Sequence, residues 1–469
     1  MAEPSIYWYD FETFGVDPRR DRAAQFAGVR TDEALNVTGE PLEIYCRPAD
    51  DFLPSPMSSL ITGITPQAAL EKGLSEAEFI GRILEEFSRP NTCVAGFNSI
   101  RFDDEVTRQL LYRNFYDPYE REWQNGNSRW DIIDMLRLCA ATRPEGIAWP
   151  ARPDGGVSFR LQELTAANGI EHSQAHDALA DVIATIAMAR LVRERQPRLY
   201  DYVYQLRKKR RVLAEIDLVT HKPVLHISGM YPAHQGSLAL VMPLCAHPVN
   251  KNGVIVYDLR QDPDFWLELD AGAIRERLFA PAESLPEGEP RIPLKTIHAN
   301  KCPIVASPAA LPEQAAARFG IDLVQCRRHW EKLQPRPEVM ARVREVFTGE
   351  GRDAETDPDF MIYSGGFFSE QDRGLMRTVR ATRPADLARL DLPFRDPRLA
   401  EMLFRYRARN FPETLDADEA ERWQRFRRQR LAQPEARERY QAELAEAQER
   451  ATPEQLPVIE AVEQWVAAL

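Results

Sequence analysis

The sequence has little of what disulfide scaffolds, thiolate metal sites and membrane spans require. Only six cysteines occur in 469 residues, at positions 46, 93, 139, 245, 302 and 326, and no two form a CxxC pair. This excludes a zinc ribbon and a disulfide framework, and it suits a reducing compartment, so a cytoplasmic location is expected. Long apolar runs are missing. The most apolar stretch, Ser237–Cys245, is interrupted by Pro243, whereas a spanning helix needs about 20 apolar residues. No membrane association is expected. The opening residues MAEPSIYWYDFETF lack a basic region and a cleavage-site pattern, so no secretory signal is expected. Glycine (23) is outnumbered by proline (35), which favours ordered loops and extended connections. Cations are in deficit: 60 Lys and Arg against 72 Asp and Glu give a net charge of −12. That balance argues mildly against a nucleic-acid partner, although a groove can focus positive potential on an acidic protein.

What is present is the composition of a globular chain, with 44% hydrophobic and 28% charged residues. At roughly 100–200 residues per domain, about three domains are expected. The N-terminal third alternates strand and helix signals. Strands are predicted at Ser5–Asp10, Gln25–Arg30, Leu42–Cys46 and Thr92–Ala95, and helices at Glu105–Phe115, Asp131–Ala141 and Ala175–Val192. This pattern predicts an α/β domain. Composition shifts near Pro197, just before the cationic run Arg207–Arg211. Strand-like pieces at Val224–Ile227, Leu238–Val241 and Gly253–Tyr257, split by Pro and Gly, predict a small β-rich domain. The Arg-, Glu- and Ala-rich remainder predicts amphipathic helices at Leu399–Arg409, Asp416–Ala432 and Pro434–Ala451. The expected boundaries are 1–196, 197–351 and 352–469.

Three sequence pieces carry chemistry. The first strand ends Asp10-Phe11-Glu12. Residues two apart on a strand share a face, so two carboxylates project side by side, and a hard divalent cation is the usual reason to tolerate that. Asp103 and Asp104 follow a strand–turn and stand at a helix start, where simple capping would also explain them. His176 precedes the last helix of the first domain, and Asp181 sits on what reads as its second turn. Taken singly, each piece has an ordinary explanation: a solvated strand end, a cap, a core histidine.

Taken together, Asp-x-Glu, a mid-domain Asp and His-x4-Asp resemble the DEDDh 3′→5′ exonucleases, which have a ribonuclease-H-like fold. The strings YDFETF (9–14), LITGITP (60–66), RFDDEVTR (101–108), YRNFYDPY (112–119), NSRWD (127–131), ANGIEH (167–172), RQPRLY (195–200), HANKCP (298–303), GFFS (366–369) and YRARNFP (406–412) are similar to the bacterial exonuclease I family. They run along almost the whole chain. The resemblance implies an α/β ribonuclease-H-like exonuclease domain, a small SH3-like β-rich domain and an all-α C-terminal domain, forming a clamp over single-stranded DNA. It implies hydrolysis assisted by two Mg²⁺ ions, with Mn²⁺ a possible substitute, held by Asp10, Glu12, Asp103 and Asp181, and with His176 as base. It further implies DNA contacts from Glu12, Arg108, Tyr119, Trp123, Arg137 and Arg160. Arg143 and Lys222 would bind the acidic C-terminal tail of single-stranded DNA-binding protein. The implied enzyme is a monomeric, processive exodeoxyribonuclease of repair and recombination, and removal of 352–469 would reduce processivity more than single-hit cleavage, provided the remainder still folds. An exoribonuclease of the same superfamily and an inactive binding scaffold are the alternatives. The filled acidic positions disfavour the scaffold, and the roughly 270 residues beyond the first domain disfavour the exoribonuclease.

Overall fold

The computed structural model describes residues 3–172, 176–281, 284–285, 289–334, 336–349 and 355–469. The chain forms two compact units: residues 1–128, 172–186 and 353–469, and residues 129–171 and 187–352.

The first unit is organised around β1 (Ser5–Thr13), β2 (Ala23–Asp32), β3 (Leu42–Tyr45) and β4 (Thr92–Gly96). They form a sheet in the order β3-β2-β1-β4, and β5 (Ser128–Asp131) begins at the last residue of this segment of the unit. β1 is antiparallel to β2 over its whole length and parallel to β4 only from Ser5↔Thr92 to Trp8↔Ala95. Its residues alternate between faces, as a pleated strand requires. Tyr7, Tyr9 and Phe11 enter an aromatic core with Phe26, Phe79 and Phe87. Asp10 and Glu12 therefore face the other way. Burial of each such ring stabilises by roughly 1.5–3 kcal/mol, so the register of β1, and with it the direction of both carboxylates, is held by hydrophobic packing.

Residues 355–469 contribute helices and short 3-10 turns to the same unit, with no strand among the described residues. Met376, Val379, Leu399, Met402 and Tyr406 pack on Tyr112 and Phe115, and Ala447 and Ile459 pack on Leu60. An ionic network joins the same parts. Asp51 accepts from Arg409 at 2.7 Å and Arg430 at 3.0 Å, and Asp359 from Arg405 and Arg430 at 3.0 Å each. Arg22 lies 3.6 Å from both Asp51 and Glu76.

The second unit carries β6 (Val224–Ile227), β7 (Leu238–Ala246), β8 (Gly253–Asp258), β9 (Leu294–His298) and β10 (Ile304–Ala306) in the antiparallel order β10-β6-β7-β8-β9. β7 runs on past its expected end at Val241. Pro243 has no N–H to give the ladder, and the register shifts between Pro243 and Cys245. This region also contains helices at Ala271–Phe279, Glu313–Arg318, Leu323–Leu333 and Pro337–Val346, which the β-rich reading did not include. The cationic run is partly consumed locally: Arg207 stacks 3.5 Å from the Tyr204 ring centroid, Lys209 donates to Asn252, and Arg211 pairs with Glu215 at 2.7 Å.

One helix expectation changes. Helix Ala178–Arg195 places Asp181 in its first turn, not its second. The expected start at Ala175 lies outside the described residues. Along this helix Ile183 is half-exposed, and Ala184 and Met188 are buried.

Candidate active site

The site forms where β1 outruns β4. Beyond Trp8 the partner strand turns away at Gly96, and the chain returns as helix Asp103–Arg113. Gly96 is needed there, because a Cβ would lie 2.9 Å from the Tyr9 carbonyl oxygen and 2.8 Å from the Ser99 side chain. The returning helix sets Asp103 beside the strand end: the Phe11 N–H donates to Asp103 Oδ1 at 3.2 Å. Asp104 turns into the interior, where it accepts from Tyr9 Oη at 2.9 Å and from Arg121 at 2.6 Å. The structure thus separates two adjacent acids that capping alone would leave equivalent, and it is Asp103, the one the family resemblance names, that bonds the strand end.

Asp181 arrives from the opposite side on helix Ala178–Arg195. That helix is capped by Asp177, whose Oδ1 accepts from the Ala180 N–H at 3.1 Å. One carboxylate oxygen from each of Asp10, Glu12 and Asp181 lies within 4.8 Å of the others. Burial, then the charges of Asp103, Glu12 and Asp181, push Asp10 well above the usual carboxylate range. Burial, then Asp181 and Asp103, push Glu12 up to about 9. Burial also raises Asp181, against the opposing hydrogen bond from His172. Crowded, desolvated carboxylates that raise one another's affinity for positive charge make a donor set that fits a hard divalent cation.

His176 is exposed and has φ +69°, a strained left-handed conformation for a non-glycine residue. Its backbone N–H donates to the Asp181 carboxylate. A second histidine, His172, was not assigned a role from sequence. Its Nε2 lies 2.5 Å from Asp181 Oδ1. It ends the family-similar string ANGIEH, but nothing in that string points to Asp181, nine residues on.

The remaining expected residues are dispersed. Arg108 is buried, not presented on the surface. Its guanidinium donates to Glu122 at 2.8 Å, lies 3.5 Å from Glu105, and sits 5.6 Å from the Tyr119 ring. Tyr119 is half-buried, with the exposed Phe367 ring edge-on at 6.0 Å, and Trp123 is 65% exposed. In the second unit, Arg137 and Arg160 line a cleft of about 950 Å³ with Arg152, Phe159, Tyr231 and His234. There Arg137 pairs with Asp134 and the exposed Arg160 with Glu163. Arg143 and Lys222 are exposed in the same unit.

Comparison with known proteins agrees along the whole length. Residues 7–189 match the family model described as Exonuclease, 207–349 the Exonuclease I SH3-like domain, and 356–469 the Exonuclease I C-terminal domain. The chain is 49% identical to the exodeoxyribonuclease I of Escherichia coli (strain K12), over 94% of this chain and 93% of that protein. A zinc-bound E. coli exonuclease I complex with single-stranded DNA superposes with a TM-score of 0.95 at 47% identity, covering 100% of this chain and 99% of that one. An SSB/exonuclease I structure with a bound inhibitor gives a TM-score of 0.91 at 46% identity, with 100% of both chains covered. The α/β exonuclease domain, SH3-like domain and helical C-terminal domain are therefore all present, and the chain belongs to the exodeoxyribonuclease I family.

Proposed function

We propose that this chain degrades single-stranded DNA processively from its 3′ end, releasing nucleoside 5′-monophosphates, in DNA repair and recombination. The observation that carries the reading is the convergence of Asp10, Glu12 and Asp181 within 4.8 Å, with Asp103 bonded to the same strand end. Asp10 would contribute to both of two metal positions, Glu12 and Asp181 to one and Asp103 to the other. All four donors are hard oxygens, which suits Mg²⁺, with Mn²⁺ as substitute. The ions would neutralise charge developing on the phosphate and acidify the attacking water. His176, exposed beside Asp181, takes the water proton at its imidazole. The new P–O bond forms to the water oxygen as the bond to the 3′ oxygen breaks, and that oxygen stays on the shortened strand.

Tyr119 and Trp123 are the proposed stacking faces, with Arg108 supporting Tyr119, and Arg137 and Arg160 the proposed phosphate contacts. Glu12 also faces the terminal nucleotide. The exposed Arg143 and Lys222 are the proposed contacts for the acidic tail of single-stranded DNA-binding protein, supported by the related SSB complex. The proposed domain boundaries, at 196/197 and 351/352, lie in the gaps between the matched family models. One chain supplies every proposed ligand, so a monomer is the proposed working unit. Six free cysteines suit the proposed cytoplasmic compartment.

The test is incubation of 5′- and 3′-labelled single-stranded DNA and RNA, and of a blunt duplex, with and without Mg²⁺. Mononucleotides released from the 3′ end of single-stranded DNA alone are expected. Preference for RNA, or shortening from the 5′ end, would overturn the reading. Asp181→Ala is expected to abolish turnover while strand binding persists, and His176→Ala to lower kcat by roughly 10²–10⁴.

A further inference from the structure

The loop leading into helix Ala178–Arg195 carries two histidines in contact with one acid. His176, an exposed residue, meets Asp181 through its backbone N–H. His172 meets the same carboxylate through its ring, with Nε2 2.5 Å from Oδ1. The two side chains are sheltered differently: that of His172 is 4% exposed and that of Asp181 19%. An ionised carboxylate offers only acceptors, so the contact calls for the tautomer of His172 that carries hydrogen on Nε2.

Asp181 needs such a tether. It stands on the first turn of its helix, with oxygens of Asp10 and Glu12 within 4.8 Å of its own. Like charges at that separation repel, and rotation about the side-chain bonds would carry Asp181 away from them. The buried His172 ring, with Nε2 2.5 Å from Asp181 Oδ1, opposes that rotation. The contact engages one of the two carboxylate oxygens, Oδ1. Carboxylates that bind metal are commonly held this way, and loss of the supporting partner typically costs 10–100-fold in metal affinity or activity.

We propose that His172 is a positioning residue: its Nε2–H holds Asp181 in the orientation that completes the divalent-metal site with Asp10 and Glu12. The inference rests on the reading of Asp181 as a metal ligand. His172 acts through Asp181, and its role differs from that of His176, four residues on.

The test is Mn²⁺ binding to the full-length protein, followed by the electron paramagnetic resonance of free Mn²⁺ without DNA. His172→Gln places an amide N–H near the position of Nε2, whereas His172→Met keeps length and removes the donor. The methionine variant is expected to bind Mn²⁺ 10–100-fold more weakly, and the glutamine variant to recover most of that loss. Wild-type affinity in a folded methionine variant, or equal loss in both variants, would overturn the proposal. Asp181→Ala separates the two readings. If it retains Mn²⁺ affinity, the metal-ligand reading fails and this proposal with it. If it loses affinity while the methionine variant does not, only the role of His172 fails. Should the methionine variant not fold, ¹⁵N-histidine spectra of the unaltered protein decide. Protonated Nε2 on His172 supports the proposal, and the neutral Nδ1–H tautomer overturns it.

Discussion

At the scale of single residues, neighbouring acids divide between chemistry and stability. Asp103 bonds the strand end at the site, while Asp104 is locked between Tyr9 and Arg121, whose side chain is fully buried. Removing one partner of a buried ion pair leaves the other charge uncompensated, at a cost of about 3–5 kcal/mol. Asp104→Ala is therefore expected to lower the urea midpoint by a corresponding amount, whereas Asp103→Asn is expected to remove turnover with little change in stability. Asp10 presents the opposite case. Burial and the neighbouring acids hold it well above the usual range, so at neutral pH without metal it works against folding. Asp10→Asn is expected to raise the metal-free melting temperature, by about 2–4 °C for each kcal/mol relieved, and to abolish any further rise on adding Mg²⁺. Differential scanning calorimetry with EDTA and with Mg²⁺ checks both.

At the scale of elements, the site depends on β1 and β4 ending at different heights. The parallel pairing stops at Trp8↔Ala95, and the turn at Gly96 is tight enough that a methyl group would press on the Tyr9 carbonyl and on Ser99. Overpacking of this kind costs typically 1–3 kcal/mol. Gly96→Ala is expected to destabilise by that amount and, because it displaces the strand carrying Asp10 and Glu12, to reduce kcat in protein that remains folded. Much of this element was legible beforehand. Asp-x-Glu on a strand predicts a shared face, and the aromatic alternation of Tyr7, Tyr9 and Phe11 explains why that face points away from the core. The helix carrying Asp181 was legible as a helix but not in its start, because the cap at Asp177 lies inside a histidine- and acid-rich loop with several competing caps.

At the scale of the whole molecule, residues 355–469 are part of the first unit's core. Loss of 352–469 would uncover Tyr112, Phe115 and Leu60 and strip Asp51 of Arg409 and Arg430. The truncated chain is therefore expected not to fold, so the condition attached to the processivity loss expected from sequence is not met; circular dichroism of the truncated protein checks this. The same network sets the acid limit. Burial alone would raise Glu76, but Arg113 and Arg22 outweigh it and hold it at about 2, and Arg409, Arg22 and Arg430 likewise hold Asp51 low. A carboxylate depressed in the folded state contributes stability above its unfolded value and loses it as pH falls toward the folded one. Urea midpoints are expected to fall between about pH 4.5 and pH 2, with a shallower fall in Glu76→Gln.

The linear sequence by itself determined the acids on β1, the strand–helix alternation of the first domain and the family. These are written in short-range periodicity and in residue types whose chemistry does not depend on neighbours. Tertiary structure alone decided that Asp104 is locked between Tyr9 and Arg121, that Arg108 is buried between Glu122 and Glu105, and that His172 contacts Asp181. Each of those outcomes depends on which distant group comes within hydrogen-bonding reach when the chain packs, and the energies of such contacts exist only once water has been excluded around them.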